Sequence, residues 1–417
     1  MAFPIDHVRG SFPALSVAHG GNPRVYLDAP GGTQACAQSI AAMAAHLSGG
    51  TANSGGVFET SVATDALSAA AHAAIADLLG GAPDEIAFGP NMTSLTLAVS
   101  RSLARSWAAG DEIILTRLDH DANVAPWLMA AEDKGVTVRW IGFDADTGRL
   151  DMAAIPGLLN RRTRLVAVGA ASNALGTIND IPAISSMVRA GSDALFYVDG
   201  VQSVPHLPTD VRALGCDFLV CSPYKFFGPH IGALWGKRAV LEHLTAYKVR
   251  PAATAPGAVR FETGTPSFEA QAGVAGMIAY LEGLDVAAGG DPAGTRRDRL
   301  VSAMEQCAAY EAGLGERLLA GLLALNSVRL YGPASMDGRV PTFAFTVASM
   351  SPQAVVERLA AQGIFAWSGH FYAVETVAAL GLESAGGLIR VGLCHYNTAC
   401  EVDRVLRALG AMLDDGG

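Results

Sequence analysis

From about residue 62 onward the chain alternates helix-forming stretches with short apolar runs, and that alternation leaves few architectures open. The runs "EIAFG", "EIILT", "VTVRWIG", "TRLVAVGAAS", "LFYVDG", "FLVCS" and "GALWG" have strand length and carry few polar residues. Helices are expected between them over about 62–79, 93–107, 123–134 and 182–190. Strands apolar throughout must be covered on both faces, and helices that cross from one strand to the next supply the cover. The prediction is an α/β domain with a mostly parallel sheet. Upstream, "RVYLDAPGG" reads as a short strand ending in a turn, then an Ala-rich helix over about 34–47 and a polar loop, "TANSGGVFETS".

The length, 417 residues, is too great for one ordinary core and predicts two domains with a cleft between them. After a long helix of about 267–283, "DVAAGGDPAGTR" collects Gly, Ala, Pro and Asp and marks the expected boundary. Residues 1–290 are read as an N-terminal arm with the large domain. Residues 291–417 are read as a smaller α+β domain, with a helix of about 297–325, the runs "SVRLYG", "TFAFTV", "FAWSG" and "LIRVGL", a helix at "SPQAVVERLAAQG" and a closing helix.

Composition narrows the partners. Half of the residues are hydrophobic and 16% are charged, which is a globular balance. A net charge of −10 without a dense Lys/Arg cluster argues against nucleic acid or an anionic membrane and for a small-molecule substrate. The six cysteines are scattered with no CxxC pair, so they read as reduced, mostly buried thiols and no metal site is expected. The start, "MAFPIDHVRGSFPALS", lacks a continuous apolar stretch, and no run reaches the roughly 18 to 20 apolar residues of a membrane span. A soluble, cytoplasmic protein is expected.

Polar residues gather where the predicted strands end, which is where ligands bind in an open parallel sheet. "AFG" leads into "PNMTS", "EIILTRL" into "DHDAN", "VAVGAAS" into "NALGT", "LFYV" into "DGVQ" and "FLVCS" into "PYK". These ends offer Asn91, Thr93, Asp121, Asn123, Asn173, Asp199, Gln202, Ser222 and Lys225. Taken singly, each has a plain reading. Lys225 in "CSPYKFFGP" can snorkel to water, Asp199 can be a solvated turn carboxylate, and "PNMTS" can be a helix cap. Together, a lysine and a carboxylate 26 residues apart at strand ends, beside a helix start suited to phosphate, match the needs of pyridoxal 5'-phosphate. That cofactor needs an amine for its aldehyde, a carboxylate for its pyridine nitrogen and an anion cradle. A nicotinamide-dependent dehydrogenase is disfavoured because no GxGxxG follows an early strand.

The block "YVDGVQSVPHLPTDVRALGCDFLVCSPYKFFGPHIGALWG" resembles the centre of the class V aminotransferase family, most closely its cysteine desulfurase branch. "HDANVAPW", "ASNALGTIND", "RFETGTPSFE" and "IRVGLCHYNT" match in the family's order, and the likeness runs from "YLDAPGG" to the last helix. The resemblance implies a pyridoxal phosphate enzyme of fold type I. It would have a mostly parallel seven-stranded sheet, and a homodimer would share its active sites. It implies that Lys225 forms the internal aldimine, Asp199 pairs with the pyridinium nitrogen and Gln202 bonds the ring hydroxyl, with Asn173 near it. Thr93, Met92 and neighbouring amides, with Ser222, would hold the phosphate, and Thr265 would reach the phosphate of a partner's cofactor. Arg390 would clamp the substrate carboxylate, and freed Lys225 would take the Cα proton.

Departures from the pattern bear on the reaction. Asp121 of "HDAN" is read at the position of the ring-stacking histidine, leaving His120 or Asp121 over the ring. Tyr372, in "WSGHFYAVE", stands where the desulfurase branch carries its sulfur-accepting cysteine, so persulfide transfer is not expected. Tyr224 replaces the usual histidine before the lysine and can still donate to the phosphate. His370, Tyr372 and Asn53 are assigned to the substrate pocket. The reaction is open among transamination, C–S or other elimination, and epimerisation, with a catalytically idle scaffold as the alternative outside enzymology.

Overall fold

The computed structural model describes residues 3–250 and 255–414. Past a short helix at Ile5–Gly10 and a hairpin of two-residue strands, Ala18–His19 and Asn22–Pro23, the chain forms strand β1 (Val25–Tyr26) and helices α1 (Ala37–Ser48) and α2 (Glu59–Leu79). Then follow β2 (Ile86–Gly89), α3 (Met92–Ala104), β3 (Glu112–Thr116), α4 (Ala125–Lys134), β4 (Thr137–Ile141) and β5 (Thr163–Gly169). The large sheet is completed by α5 (Ile181–Gly191), β6 (Leu195–Asp199), β7 (Phe218–Cys221) and β8 (Gly232–Gly236). Its seven strands run in the order β2-β8-β7-β6-β5-β3-β4, and only β8 is antiparallel to its neighbours.

Period-two alternation sorts the strand side chains between two cores. Ile114, Val166, Val168, Phe196, Val198, Leu219 and Trp235 face one core, with residues of α2 and the long helices described below. Ile113, Leu115, Leu165, Ala167, Tyr197, Phe218 and Val220 face the other, with α3 and α4. α2 has the length and mean hydropathy of a membrane span, although no single run along it is continuously apolar. It is instead a core helix, packed against the next long helix and carrying His72, which bonds Glu262 at 2.7 Å.

Two long helices, α6 (Phe268–Ala287) and α7 (Arg296–Leu323), connect the halves. The expected boundary at 285–296 falls between them, α6 running a few residues further than its composition indicated. α6 lies close on α1 because Gly276 has no side chain: a Cβ there would come within 2.4 Å of the Gln38 carbonyl. α7 opens on a capping box between Thr295 and Asp298. Beyond it come β9 (Val328–Tyr331), β10 (Thr342–Val347), α8 (Pro352–Ala361), β11 (Ile364–Phe365), β12 (Trp367–Gly369), β13 (Leu388–Gly392) and α9 (Ala399–Asp414). The order β9-β10-β13-β12 makes an antiparallel sheet over a third core with α7, α8 and α9.

The N-terminal arm, expected with the large domain, is tied to the C-terminal part as well. β1 pairs in parallel with β11, Asp28 bridges to Gly392, and Arg9 bonds Glu401 at 3.0 Å. The arm thus serves both parts of the chain: the edge of β11 finds its backbone partners in Val25 and Tyr26.

Candidate active site

After β3 the chain passes to edge strand β4, and then returns to the other side of β3 as β5. The loops following β3 and β5 therefore diverge and open a crevice at the strands' carboxyl ends. Asp119 and His120 line it from the β3 loop, and Asn173 from the β5 loop. Asp199 and Gln202 come from the end of β6, and Ser222, Tyr224 and Lys225 from the end of β7. Asn91, Met92 and Thr93 at the start of α3 close the far end. Arg390, from β13, joins Lys225 in the continuation of the cavity toward solvent.

Lys225 ends a short turn, Pro223–Lys225, and its Nζ donates to the Pro30 carbonyl. Gln202 Nε2 donates to the same oxygen at 2.9 Å. Burial pushes the lysine down to about 7, assisted by the Arg390 charge and opposed by Asp199 and Asp28. Asp199 Oδ1 accepts from the Val201 amide at 2.8 Å. Burial raises its carboxyl to about 6, against the pull of that amide and of Lys225. Each group is thus held close to giving up its charge.

At the other end, Asn91 caps α3 by accepting from the Ser94 amide at 2.8 Å. That leaves the first-turn amides of Met92 and Thr93 without intrahelical acceptors, the arrangement that suits an anion. Gly232 permits this approach, since a Cβ there would lie 2.3 Å from the Asn91 carbonyl carbon and 2.7 Å from the Met92 nitrogen. Gly232→Ala is expected to displace the start of α3 and weaken cofactor retention about tenfold or more. Equilibrium dialysis of the cofactor checks it, with far-ultraviolet circular dichroism to show that the fold survives.

Four buried polar atoms around this cavity have no hydrogen-bond partner: Ser222 Oγ, Asn173 Oδ1, Arg390 Nε and Asp28 Oδ1. Buried polar groups are nearly always paired, so a cluster of orphans about one cavity marks a place for a polar ligand. The donor set fits pyridoxal 5'-phosphate. Met92, Thr93 and Ser222 would meet its phosphate, Asp199 its ring nitrogen and Lys225 its aldehyde.

The two candidates of the β3 loop are placed differently: His120 lines both the inner cavity and the outer cleft, while Asp121 lines the outer cleft alone. The reason is the anchoring of the preceding residue. Asp119 is buried and accepts from Thr116 Oγ1 at 2.7 Å, Asn123 Nδ2 at 2.7 Å and the Gly169 amide at 2.9 Å. That pins the loop one residue earlier, so the next side chain, His120, enters the cavity, its Nδ1 accepting from the Ala122 amide at 3.0 Å. Burial and the charges of Lys225 and Arg390 push the imidazole down to about 3, so it is neutral.

Arg390 Nη1 donates to the Asn173 carbonyl at 2.8 Å, and its guanidinium lies 4.3 Å from the centre of the Phe371 ring. Burial lowers it to about 9. Among the described residues no carboxylate lies within ion-pair distance of it, which leaves a buried cation open to a substrate anion. Phe371 and Tyr372 both adopt left-handed backbone, at φ 55° and 58°. Asn173 Nδ2 donates to the Phe371 carbonyl at 2.8 Å, and the Asp121 amide to the Tyr372 carbonyl at 2.6 Å. Glu375 pairs with Arg117. The loop that carries His370 and Tyr372 is therefore fastened to the large domain, with the Tyr372 ring 5.5 Å from that of His120.

Asn53 and Thr265 are not brought to Lys225 within the chain; both line a separate surface groove with Asp65 and Lys248. Residues that sequence reasoning missed are Asp28, Asp119, Phe371 and the Pro30 carbonyl. Asp28, between an apolar strand and a glycine turn, offered a signal; Phe371 offered none. Among the described residues, no cysteine lines the cavity or cleft. Cys36, Cys216, Cys221, Cys307 and Cys394 are buried, with thiols pushed up by burial, and Cys400 is exposed on α9.

The sequence pattern described as aminotransferase class-V matches residues 25–405. An aminotransferase-like protein from Gibberella zeae is 34% identical over 99% of both chains. A cysteine desulfurase from Yersinia pestis is 33% identical over 98% of both. Among solved structures, the apo cysteine desulfurase of Thermococcus onnurineus superposes with a TM-score of 0.88 at 25% identity, covering 100% of this chain and 99% of that one. The cysteine desulfurase CsdA of Escherichia coli superposes at 0.83 with 26% identity, covering both chains fully.

Proposed function

This chain belongs to the class V aminotransferase family, in its cysteine desulfurase-like branch, and on that premise we propose that it removes the Cα proton of a free α-amino acid without a sulfur-accepting cysteine. It is a pyridoxal 5'-phosphate enzyme of fold type I. When bound, that cofactor supplies the electron sink that acidifies the Cα–H bond of an attached amino acid.

The residues divide the remaining work. Asp199 holds the proton on the ring nitrogen, and Gln202 fixes the Pro30 carbonyl beside the lysine. Met92, Thr93 and Ser222 hold the phosphate, and Tyr224, stacked on His230 at 4.6 Å, walls the site beside Lys225. Arg390, aimed by the Asn173 carbonyl and the Phe371 ring, takes the substrate carboxylate. Lys225, freed when the amino acid arrives, accepts the Cα proton at Nζ. A lysine held near neutrality is matched to that task, since general bases work best when their pKa lies close to the working pH. Neutral His120, lining the inner cavity, would cover the ring without competing for the proton. Asn53 and Thr265, which share a groove remote from Lys225, are assigned to the site of a second copy in a homodimer.

The single observation that carries this reading is a cleft with no thiol among the described residues, in which Tyr372 stands on a fastened loop where a mobile cysteine would be needed. Incubated with cysteine, the protein is expected to carry no added sulfur by intact mass. Absorbance near ~420 nm, abolished by borohydride, is expected for the loaded enzyme. Following 2-oxo acid, sulfide or loss of chirality across amino acids separates transamination, elimination and epimerisation. A protein-bound persulfide would overturn the proposal, as would turnover lost wholesale in a variant with all six cysteines replaced by serine or alanine that still folds and binds cofactor.

A further inference from the structure

Outside Lys225 and Arg390 the cavity widens into a cleft whose wall is built from α3, α4 and the loop after β12. Leu97, Ala125, Pro126 and Met129 line it on one side, with Trp367 and Tyr372 on the other. Met129 is 49% exposed, Trp367 52% and Tyr372 65%. Three large side chains that water would ordinarily disfavour are thus gathered at one opening, and that opening leads to the reacting centre.

The charges along the same cleft are few. Lys225 and Arg390 are committed to the cofactor and to the substrate carboxylate. Beyond them the only ionisable groups lining it among the described residues are His120, Asp121, Tyr224, His370 and Tyr372. His120 is neutral. Burial raises the Asp121 carboxyl, and the nearby His370 charge is the one influence that lowers it. No second arginine or lysine is available for a side-chain carboxylate. An acidic substrate would therefore bring a charge into a partly desolvated, apolar space without a partner.

The backbone of an amino acid is fixed at two points. Its nitrogen goes to the Lys225 end, and its carboxylate to Arg390, whose orientation is set by the Asn173 carbonyl and the Phe371 ring. Two consecutive non-glycine residues in left-handed backbone, Phe371 and Tyr372, persist only where surroundings hold them. Here that conformation lets Phe371 lie against the clamp while its neighbour Tyr372 stands at the mouth of the cleft. With nitrogen and carboxylate fixed, the third substituent at Cα runs outward along the wall.

Resting on the reading of the site given above, we infer that the cleft selects an α-amino acid with an uncharged, extended apolar side chain, seated between Met129 on α4 and the Trp367–Tyr372 edge. In such a pocket each additional buried methylene favours the longer substrate by roughly tenfold.

The test is a spectral titration of the cofactor-loaded protein with alanine, norvaline, norleucine, phenylalanine, aspartate and lysine, reading the concentration that half-perturbs the cofactor absorbance. Norleucine or phenylalanine is expected to act at a concentration at least tenfold below that of alanine, and aspartate more weakly than alanine. Met129→Asp is expected to abolish the preference for norleucine over alanine while cofactor content per chain is unchanged. If alanine and aspartate act as well as norleucine, the side-chain assignment falls and the Cα chemistry stands. If no amino acid perturbs the absorbance of protein that demonstrably holds the cofactor, both fall. If Met129→Asp or Trp367→Ala alters the oligomeric state by light scattering, the wall is a subunit contact and the assignment is overturned.

Discussion

Lys225→Ala is expected to lose the borohydride-sensitive absorbance and to lower turnover by at least about 10³-fold, because one substitution removes both the cofactor attachment and the general base. The folded state should not suffer with it. Nζ has one hydrogen-bond partner, the Pro30 carbonyl, and Lys225 lies where burial opposes its charge, so deleting the amine removes a desolvation cost. A cooperative thermal transition at or above that of the cofactor-free wild type, combined with abolished turnover, separates a chemical role from a structural one. Retention of the absorbance in Lys225→Ala would sink the assignment.

The second large effect is in how the cofactor stabilises the chain at different pH. Lys225 has a folded value lowered to about 7 from its ordinary 10.5. Between those values the unfolded chain holds more protons, so stability rises with pH across that window, and the cost of the buried ammonium is complete below about 7. Asp199 is raised to about 6 from 3.8, so its folded form holds more protons and stability falls as pH rises from about 4 to 6. Both costs coincide only between about 6 and 7. Cofactor binding engages the amine and pairs the carboxylate, relieving both. The rise in melting temperature on adding pyridoxal 5'-phosphate is therefore expected to peak at pH 6 to 7 and to shrink toward pH 10. The fall from 10.5 to about 7 puts the amine's part of the cost in the cofactor-free chain on the order of 5 kcal/mol. Scanning calorimetry of both forms from pH 5 to 10, with Lys225→Met as control, measures it, and a shift independent of pH would refute the electrostatic account.

How much of this was legible in the sequence depends on whether a residue's surroundings are local. The strands "LFYVDG" and "FLVCS" declare themselves through continuous apolar runs, and Asp199 and Lys225, each with a plain reading alone, stand out because they follow the ends of two such strands together. The register of "DHDAN" was not legible. Whether His120 or Asp121 enters the cavity is decided by Asp119, whose amide donor on Gly169 lies 50 residues away. Asp28 was missed for a similar reason: its neighbours Arg390 and Lys225 are brought to it only by the folded chain. The contact of Phe371 with Arg390 needs a left-handed backbone that no rule for phenylalanine anticipates.

The pairing of Val25 and Tyr26 with Ile364 and Phe365 sets an order of events during synthesis. The seven strands from Ile86 to Gly236 find all their partners among themselves, so this sheet can assemble while the last third of the chain is still being made. The segment around Asp28 and Pro30 is fastened in two stages. Its first contacts lie within the large domain, where the Pro30 carbonyl accepts from Gln202 and Lys225 and the Thr33 amide donates to the Tyr224 carbonyl at 3.0 Å. Its second set, the pairing with Ile364 and Phe365 and the bridge from Asp28 to Gly392, waits for more than three hundred residues. The acceptor of the lysine amine can thus be met early and is steadied from its other side only when the last part of the chain arrives.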